Sequence, residues 1–326
     1  MVATMQATKY NIGWDVRGWN CDKNPRSRDA IVILDSDRRI HGAPWRGNLR
    51  EQINRANTTS EWVKALFELC EADHSAERLD VVLAINTPLG FSAELVSLAA
   101  SRQPYAGALR EHSANPYIFR QTERLLFRDG FTPLSPVKDI IGRQATKGMH
   151  VLAKFAPNLA SCGVWTGDKS LTVIETYPAA RKHSATMSRL RGDHEPLDDE
   201  DEDDALTCAL AANLFSEQGK QSKPLDEFKG MPPVPPIAVH RRRSNPFVKE
   251  MIRDRKAGRK DQKDPLPWDA LENPPNGVPD SEGWIWVPID VKFPRLNYAP
   301  PPFFFKHHED RANVMLMYDP LGAVVS

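Results

Sequence analysis

Alternating apolar residues at the start of the chain predict a group of short strands. Residues 9–15 place their aromatic and aliphatic side chains at every second position, as in a strand with one buried face. Residues 30–34 form a β-branched run that is too short for a helix, and a turn then leads to residues 39–42, which we predict as an edge strand. The order predicts an N-terminal antiparallel meander.

The apolar pattern that follows alternates between helical spacing and continuous runs. A helix is predicted to start near Ser60, and residues 80–86 form a continuous apolar run typical of a strand buried on both faces. A helical crossover between the meander and this run implies parallel pairing. Further elements are predicted in the same way: helices at 93–100, 118–126 and 149–155, a buried strand at 170–178, and a helix at 205–215 that is apolar nearly all round. The fold class is therefore α/β, a mixed sheet flanked by helices.

Composition divides the chain into three parts. The core is predicted at 1–218, a Pro-rich basic insertion or linker at 219–281, and a C-terminal strand that docks on the core, followed by a tail, at 282–326. Lysine and arginine together number 43, as do aspartate and glutamate, so electrostatic attraction to nucleic acid must come from local patches. The basic insertion is such a patch, with Arg241, Arg242 and Arg243. It suits a nucleic-acid backbone, or equally the acidic run of the chain itself.

Cysteine usage and hydropathy indicate a cytoplasmic protein. The four cysteines are far apart and form no CxxC pair, so we expect free thiols and no disulfide partner. The first eight residues lack the blocks of a signal peptide, and no apolar run approaches the roughly 20 residues of a membrane span. Nothing in the sequence sets an oligomeric state.

Acidic residues follow the predicted strands at the positions where α/β sheets place their sites. Asp15 ends the first strand, Glu175 ends the strand at 170–178, and Asp203 and Asp204 open the apolar helix. Acids at these positions can bind Mg²⁺ or Mn²⁺, which activate water and stabilise the leaving oxygen in phosphodiester cleavage. The competing interpretations are local: Asp15 starts a turn, and the acidic run 198–204 serves the helix dipole.

Two arginines are candidates for binding phosphate. Arg120 and Arg124 share a helix face at spacing i, i+4. Either they contact a substrate phosphate, or they pair with Glu123 and other acids.

Six motifs in order resemble domain-of-unknown-function family 429, described as predicted RNase H-like nucleases. The motifs are IGWD at 12–15, VLAINTPLG at 82–90, FRQTER at 119–124, IETYP at 174–178, DALTCAL at 204–210 and EGWIWVP at 282–288. The resemblance implies an RNase H-like mixed sheet, metal-binding roles for Asp15, Glu175 and Asp204, and a positioning role for Arg120. One departure is Asn86, where the family pattern usually has aspartate. Its amide can offer a carbonyl to a cation but carries no charge.

Three functions follow as expectations. The first is a nuclease dependent on Mg²⁺ or Mn²⁺, with the carboxylates as ligands, Asp203 compensating for Asn86, and Arg120, Arg124 and the basic insertion on phosphates. The second is a degenerate RNase H-like protein that binds nucleic acid or serves as a scaffold without catalysis. The third is a nucleotide-binding phosphotransferase, for which saturable ATP binding is the test.

Overall fold

A mixed sheet forms the centre of the protein. The computed structural model describes residues 7–74, 79–107, 109, 115–128, 131–168, 171–221 and 282–287. Within them the sheet has eight strands: β1 (Thr8–Asp15), β2 (Asp29–Leu34), β3 (Trp45–Gly47), β4 (Leu79–Asn86), β5 (Asn158–Ser161), β6 (Val164–Thr166), β7 (Leu171–Thr176) and β8 (Ile285–Trp286). The strand order is β3-β2-β1-β4-β7-β6-β5, and β8 pairs with β7 off this path. Strands β1, β2 and β3 pair antiparallel, whereas β4 is parallel to β1 and β7 is parallel to β4.

Helices cover both faces of the sheet. The described helices are α1 (Arg50–Arg55), α2 (Thr59–Leu69), α3 (Ala93–Ser101), α4 (Gln121–Arg128), α5 (Gly142–Phe155), α6 (Ala185–Gly192) and α7 (Glu200–Gln221), with 3₁₀ helices at Cys21–Lys23 and Pro178–His183. Thr58, Ser92 and Ser184 accept hydrogen bonds from backbone amides at the starts of α2, α3 and α6. These side chains satisfy amides that have no partner within the helix.

The two faces of the sheet bury separate cores because side chains alternate along each strand. On one face, alternate residues of the central strands, such as Ile12 and Leu83, pack against α1, α2 and α5. On the other face, residues such as Val32 and Ala84 pack against α6 and α7. The helix predicted at 205–215 is part of the second core, which confirms that its apolar surface is buried.

The backbone of α7 lies directly on β1 at Gly13. A Cβ at this position would lie 1.9 Å from the Ala205 carbonyl oxygen and 2.4 Å from the Ala209 nitrogen, so only glycine permits this approach. Asp15 is two residues further along the strand and therefore faces the same helix. This close packing brings the N-terminal end of α7 to the end of β1.

The far side of β7 is shared by two short strands. β6 pairs with its first part, and β8 pairs with its last residues in the register Glu175↔Ile285. The Trp286 indole nitrogen donates to the Gly163 carbonyl oxygen at 2.9 Å, which ties β8 to the hairpin of β5 and β6. The segment at 282–287 thus adds a strand to the core sheet, as predicted from its apolar pattern.

The third strand of the meander is not where the sequence pattern placed it. Residues 39–42 contribute only a single bridge, Leu34↔Ile40, and the paired strand is β3. A tight turn with Arg38 at φ 65° and a second turn at Gly42 with φ 80° keep the intervening residues from pairing further. The alternation at 39–42 was too short to distinguish a strand from a turn.

Other differences between the predicted and the observed elements lie at helix ends and in elements that are short or polar. The helix predicted at 149–155 begins seven residues earlier, at Gly142, and α4 begins at Gln121 rather than at 118. The sequence pattern missed α1, α6 and the β5–β6 hairpin, which are short or polar. Helix α7 continues past the predicted boundary at 218 to Gln221, and the insertion beyond that point lies outside the described residues.

The described part of the chain includes all four cysteines, which are buried and form no disulfide bond there. None of the helices in those ranges combines the length and apolar character that a membrane crossing requires.

Candidate active site

Asp15 is a fully buried carboxylate at the end of the central strand β1. Its Oδ1 accepts a hydrogen bond of 2.8 Å from Nδ2 of Asn86, the residue opposite it on β4. Its Oδ2 lies 2.9 Å from Nη2 of Arg17, but no hydrogen-bond donor among the described residues is aligned with it. Burial raises the pKa of Asp15 well above its usual value; Arg17 opposes this shift, and the charge of Asp204 adds to it. A further cation next to Oδ2 would stabilise the ionised form of the Asp15 carboxylate.

Asp204 is the second carboxylate of the site, and it lies near the start of α7. Burial is the main reason that its pKa rises to about 6, although Arg181 and Arg17 oppose the shift. The Asp204 carboxylate makes no hydrogen bond or ion pair to another side chain in the described ranges. Asp15 and Asp204 are thus two neighbouring carboxylates with incomplete compensation.

Three other acids of the 198–204 run are neutralised by arginines from several elements. The ion pairs are Asp199 with Arg46, Asp201 with Arg17 and Arg46, and Asp203 with Arg181 and Arg191. Burial alone would raise the pKa of Asp203, but its hydrogen bonds to the two arginines outweigh burial and lower it. Asp203 is therefore not a spare ligand that compensates for Asn86, because its oxygens already accept from Arg181 and Arg191.

A small cavity of about 90 Å³ opens at the carboxyl ends of β1, β4 and β7. Arg17, Asn86 and Glu175 line it from the strand ends, and Leu134 and Ile141 line its apolar side. The cavity therefore lies at the edge of the sheet where the strand-end acids led us to expect a site.

Glu175 faces this cavity but is already committed to a buried ion pair. Arg120 donates to both of its carboxylate oxygens, from Nη1 at 2.8 Å and from Nη2 at 2.6 Å, and the Leu89 amide donates at 2.8 Å. Arg120 also donates to Glu123 from Nε and Nη2, and neither side chain is exposed to solvent. A guanidinium buried in this way cannot contact a substrate phosphate without breaking the network.

Glu282 completes this network by joining two helix starts. Its Oε1 accepts from the Ala93 amide at 2.9 Å and its Oε2 from the Gln121 amide at 2.7 Å, while its carbonyl oxygen accepts from Arg120 at 3.0 Å. Backbone amides at helix starts suit a carboxylate because they lack partners within the helix. The motifs at 119–124, 174–178 and 282–288 thus meet in one structural network.

The predicted set of metal ligands is not assembled as a whole. Within the described residues, no group of three or more His, Cys, Asp or Glu side chains is arranged to hold a metal ion. Asp15 is hydrogen-bonded to Asn86 and is close enough to Asp204 for their charges to interact, whereas Glu175 is held by Arg120. The remaining substrate-binding candidates divide in two: Arg124 is partly buried and its Nε lacks a partner among described residues, and Arg241, Arg242 and Arg243 lie outside the described residues.

Arg17 belongs to the candidate site, although the sequence patterns above did not single it out. It lies two residues after Asp15, so a chain that stays extended past the end of β1 places both side chains on one side of the sheet. An arginine so close to a candidate ligand was a usable signal. The contact with Asp201, 184 residues away, depends on how α7 packs and has no such signal.

The residues present fit a hard divalent cation. Mg²⁺ is usually bound by one or two carboxylates together with waters and substrate phosphates, so a complete cage of protein ligands is not required. The unsatisfied Oδ2 of Asp15, the Asp204 carboxylate and the Asn86 amide supply oxygen donors of this kind.

Comparison of the chain with protein-family models, with curated proteins and with solved structures gives no match in any of the three.

Proposed function

We propose that the protein is an RNase H-like nuclease that cleaves phosphodiester bonds of nucleic acid with Mg²⁺ or Mn²⁺. The observation that carries the proposal is the pair of interacting, desolvated carboxylates Asp15 and Asp204. Asp15 is hydrogen-bonded to Asn86, which lines the cavity at the carboxyl ends of the parallel strands. Carboxylates kept without full compensation reduce stability, and proteins retain such arrangements mostly at functional sites.

The topology of the sheet supports the RNase H-like assignment. An antiparallel group of β1, β2 and β3 is followed by β4 and β7, which continue the sheet in parallel. This is the arrangement implied by the resemblance of the six motifs. Fold alone does not determine activity, so the proposal depends on the carboxylates.

The proposed roles follow from the contacts. Asp15 and Asp204 would hold the cation, and Asn86 fixes the Asp15 carboxylate by donating to Oδ1. Arg120 and Glu175 would keep the ends of β7 and β8 in place, without contacting substrate. When bound, a divalent cation supplies activation of water and charge stabilisation at the phosphate.

The test is cleavage of labelled single-stranded DNA, duplex DNA, RNA and RNA–DNA hybrid with Mg²⁺ or Mn²⁺. We expect Asp15→Asn and Asp204→Asn to reduce the rate by about 100-fold or more. Asp199→Asn is the matched control, because it makes the same change in the same acidic run at a residue that pairs with Arg46. This variant should cleave at the wild-type rate. A wild-type protein that cuts none of these polymers would contradict the proposal.

A specific observation also favours the second function, binding of nucleic acid without catalysis. Asn86 brings no charge to the site, and Arg17 already offsets part of the charge on Asp15. Binding of the same polymers that needs no divalent cation, without cleavage, would support this function. No contact among the described residues favours the phosphotransferase, and saturable ATP binding remains its test.

A further inference from the structure

Arg17 is held rigidly at the end of β1. Its backbone amide donates to Oδ1 of Asp29 at 2.7 Å, and Asp29 is fully buried in an ion pair with Lys147. The Lys147 amine also approaches the Arg17 carbonyl oxygen at 3.5 Å. The backbone of Arg17 is therefore fixed, and only its side chain can reorient.

The guanidinium of Arg17 lies between two carboxylates. Nη2 is 2.9 Å from Oδ2 of Asp15 and 2.5 Å from Oδ1 of Asp201, and Nε is 3.2 Å from the same oxygen of Asp201. The contact with Asp15 is the poorer one, because Oδ2 has no aligned donor in the described part of the chain. Asp201 therefore holds Arg17 more firmly than Asp15 does.

The oxygen that Arg17 approaches is also the oxygen that a divalent cation needs. Oδ1 of Asp15 already accepts from Asn86, whereas Oδ2 accepts no hydrogen bond from the described residues and is the oxygen left for a cation once Arg17 moves away. A guanidinium nitrogen at 2.9 Å and a metal ion at bonding distance cannot share that position, because both are positively charged and each needs the same space.

We propose that Arg17 is an intramolecular counter-ion that occupies the cation position, and that cation binding displaces its Nη2 from Asp15 while Asp201 retains it. This inference rests on the proposed function, because it takes Asp15 as a ligand of the cation. Arg17 therefore lowers the affinity of the site for divalent cations.

The test is isothermal titration of the full chain with MnCl₂ at pH 7.5. Arg17→Met removes the competing charge and should tighten Mn²⁺ binding on the order of tenfold, within the range of ordinary coupling between two binding events. Asp201→Asn removes the group that retains Arg17 and leaves the arginine to Asp15, so it should weaken binding severalfold. Each variant removes one partner of the Arg17–Asp201 ion pair. If loss of this pair only loosened the fold, both variants would bind Mn²⁺ more weakly than the wild type.

A second measurement uses the wild-type protein and does not depend on the folding of a variant. During Mg²⁺ titration, the NMR signal of the Arg17 Nε–H group should shift, while that of Arg46, which pairs with Asp199 and Asp201, should stay in place. Arg17→Gln, which is also uncharged, should reproduce the tighter Mn²⁺ binding of Arg17→Met.

The outcomes separate this inference from the proposed function. Equal Mn²⁺ affinity in wild type and both Arg17 variants, or weaker binding in both, overturns the counter-ion role and leaves the cation site intact. An unmoved Arg17 signal at saturating Mg²⁺ overturns it as well. Absence of Mn²⁺ binding in all proteins overturns the cation site and the counter-ion role together.

Discussion

Asp204 and Asp203 are adjacent in the sequence, and the same substitution at each should change stability in opposite directions. In the folded protein the pKa of Asp204 is raised from 3.8 to about 6. The folded state therefore holds this proton more tightly than the unfolded state, and stability falls as pH rises between the two values. At about 1.36 kcal/mol per pKa unit, the ionised carboxylate costs up to about 3 kcal/mol above pH 6.5.

Asp204→Asn removes that cost, so we expect the variant to be more stable than wild type at pH 8, by up to about 3 kcal/mol. Near pH 4 the gain should be small, because wild-type Asp204 is protonated in the folded state. Asp203 has a lowered pKa, since its hydrogen bonds to Arg181 and Arg191 outweigh burial. Its stabilising contribution is present at pH 8 and is lost as pH falls through the folded pKa, so Asp203→Asn should destabilise at pH 8.

The assay is urea unfolding of the three proteins at pH 4 and pH 8, in EDTA so that no cation contributes. If Asp204→Asn destabilises the protein at pH 8 as Asp203→Asn does, or if its effect is the same at both pH values, the ionised Asp204 carboxylate does not carry the cost given above.

Three further changes test the packing that positions the site. Arg120→Met should lower the free energy of unfolding in urea by about 3–5 kcal/mol, because it leaves buried carboxylates without their cation. Adding Glu175→Gln should recover part of that loss. A loss below about 1 kcal/mol would contradict the buried network. Gly13→Ala should lower the melting temperature by about 5 °C or more, which corresponds to a loss of about 2–3 kcal/mol or more, because its Cβ would overlap the backbone of α7. Gly192→Ala, where a Cβ meets nothing within 4 Å, is the matched control and should leave the melting temperature unchanged or slightly raised. Lys147→Met should lower the free energy of unfolding by roughly 3 kcal/mol, because it leaves the buried Asp29 carboxylate without its cation. An unchanged unfolding midpoint would show that backbone amides alone satisfy this carboxylate.

Sequence pattern was sufficient for the parts of the fold with strong apolar periodicity. The first two strands, the buried strand at 80–86 and the apolar helix at 205–215 are all present, because their burial leaves a clear signature in residue type. The polar start of α5 was missed because Lys147, a residue typical of surfaces, is fully buried against Asp29. A buried ion pair of this kind cannot be recognised until both partners are known.

The sequence predicted where the candidate site would lie in the fold, but not which of its acids would lack an arginine partner. Asp15 and Asp204 lie at the predicted edge because strand ends and helix starts determine where a side chain can be. Glu175 had equal support from the sequence, yet its pairing with Arg120 depends on how α4 and β8 dock on β7. Long-range pairing of charges decides which acids remain available, and local pattern carries no information about it.

The most direct test of the proposed cation site is anomalous X-ray scattering from crystals of the wild-type protein grown with Mn²⁺ above pH 7. We expect an anomalous peak in contact with carboxylate oxygens of both Asp15 and Asp204, with the Arg17 guanidinium moved from Asp15 toward Asp201. Density for an ordered site without an anomalous peak between these two carboxylates would contradict the proposed cation site.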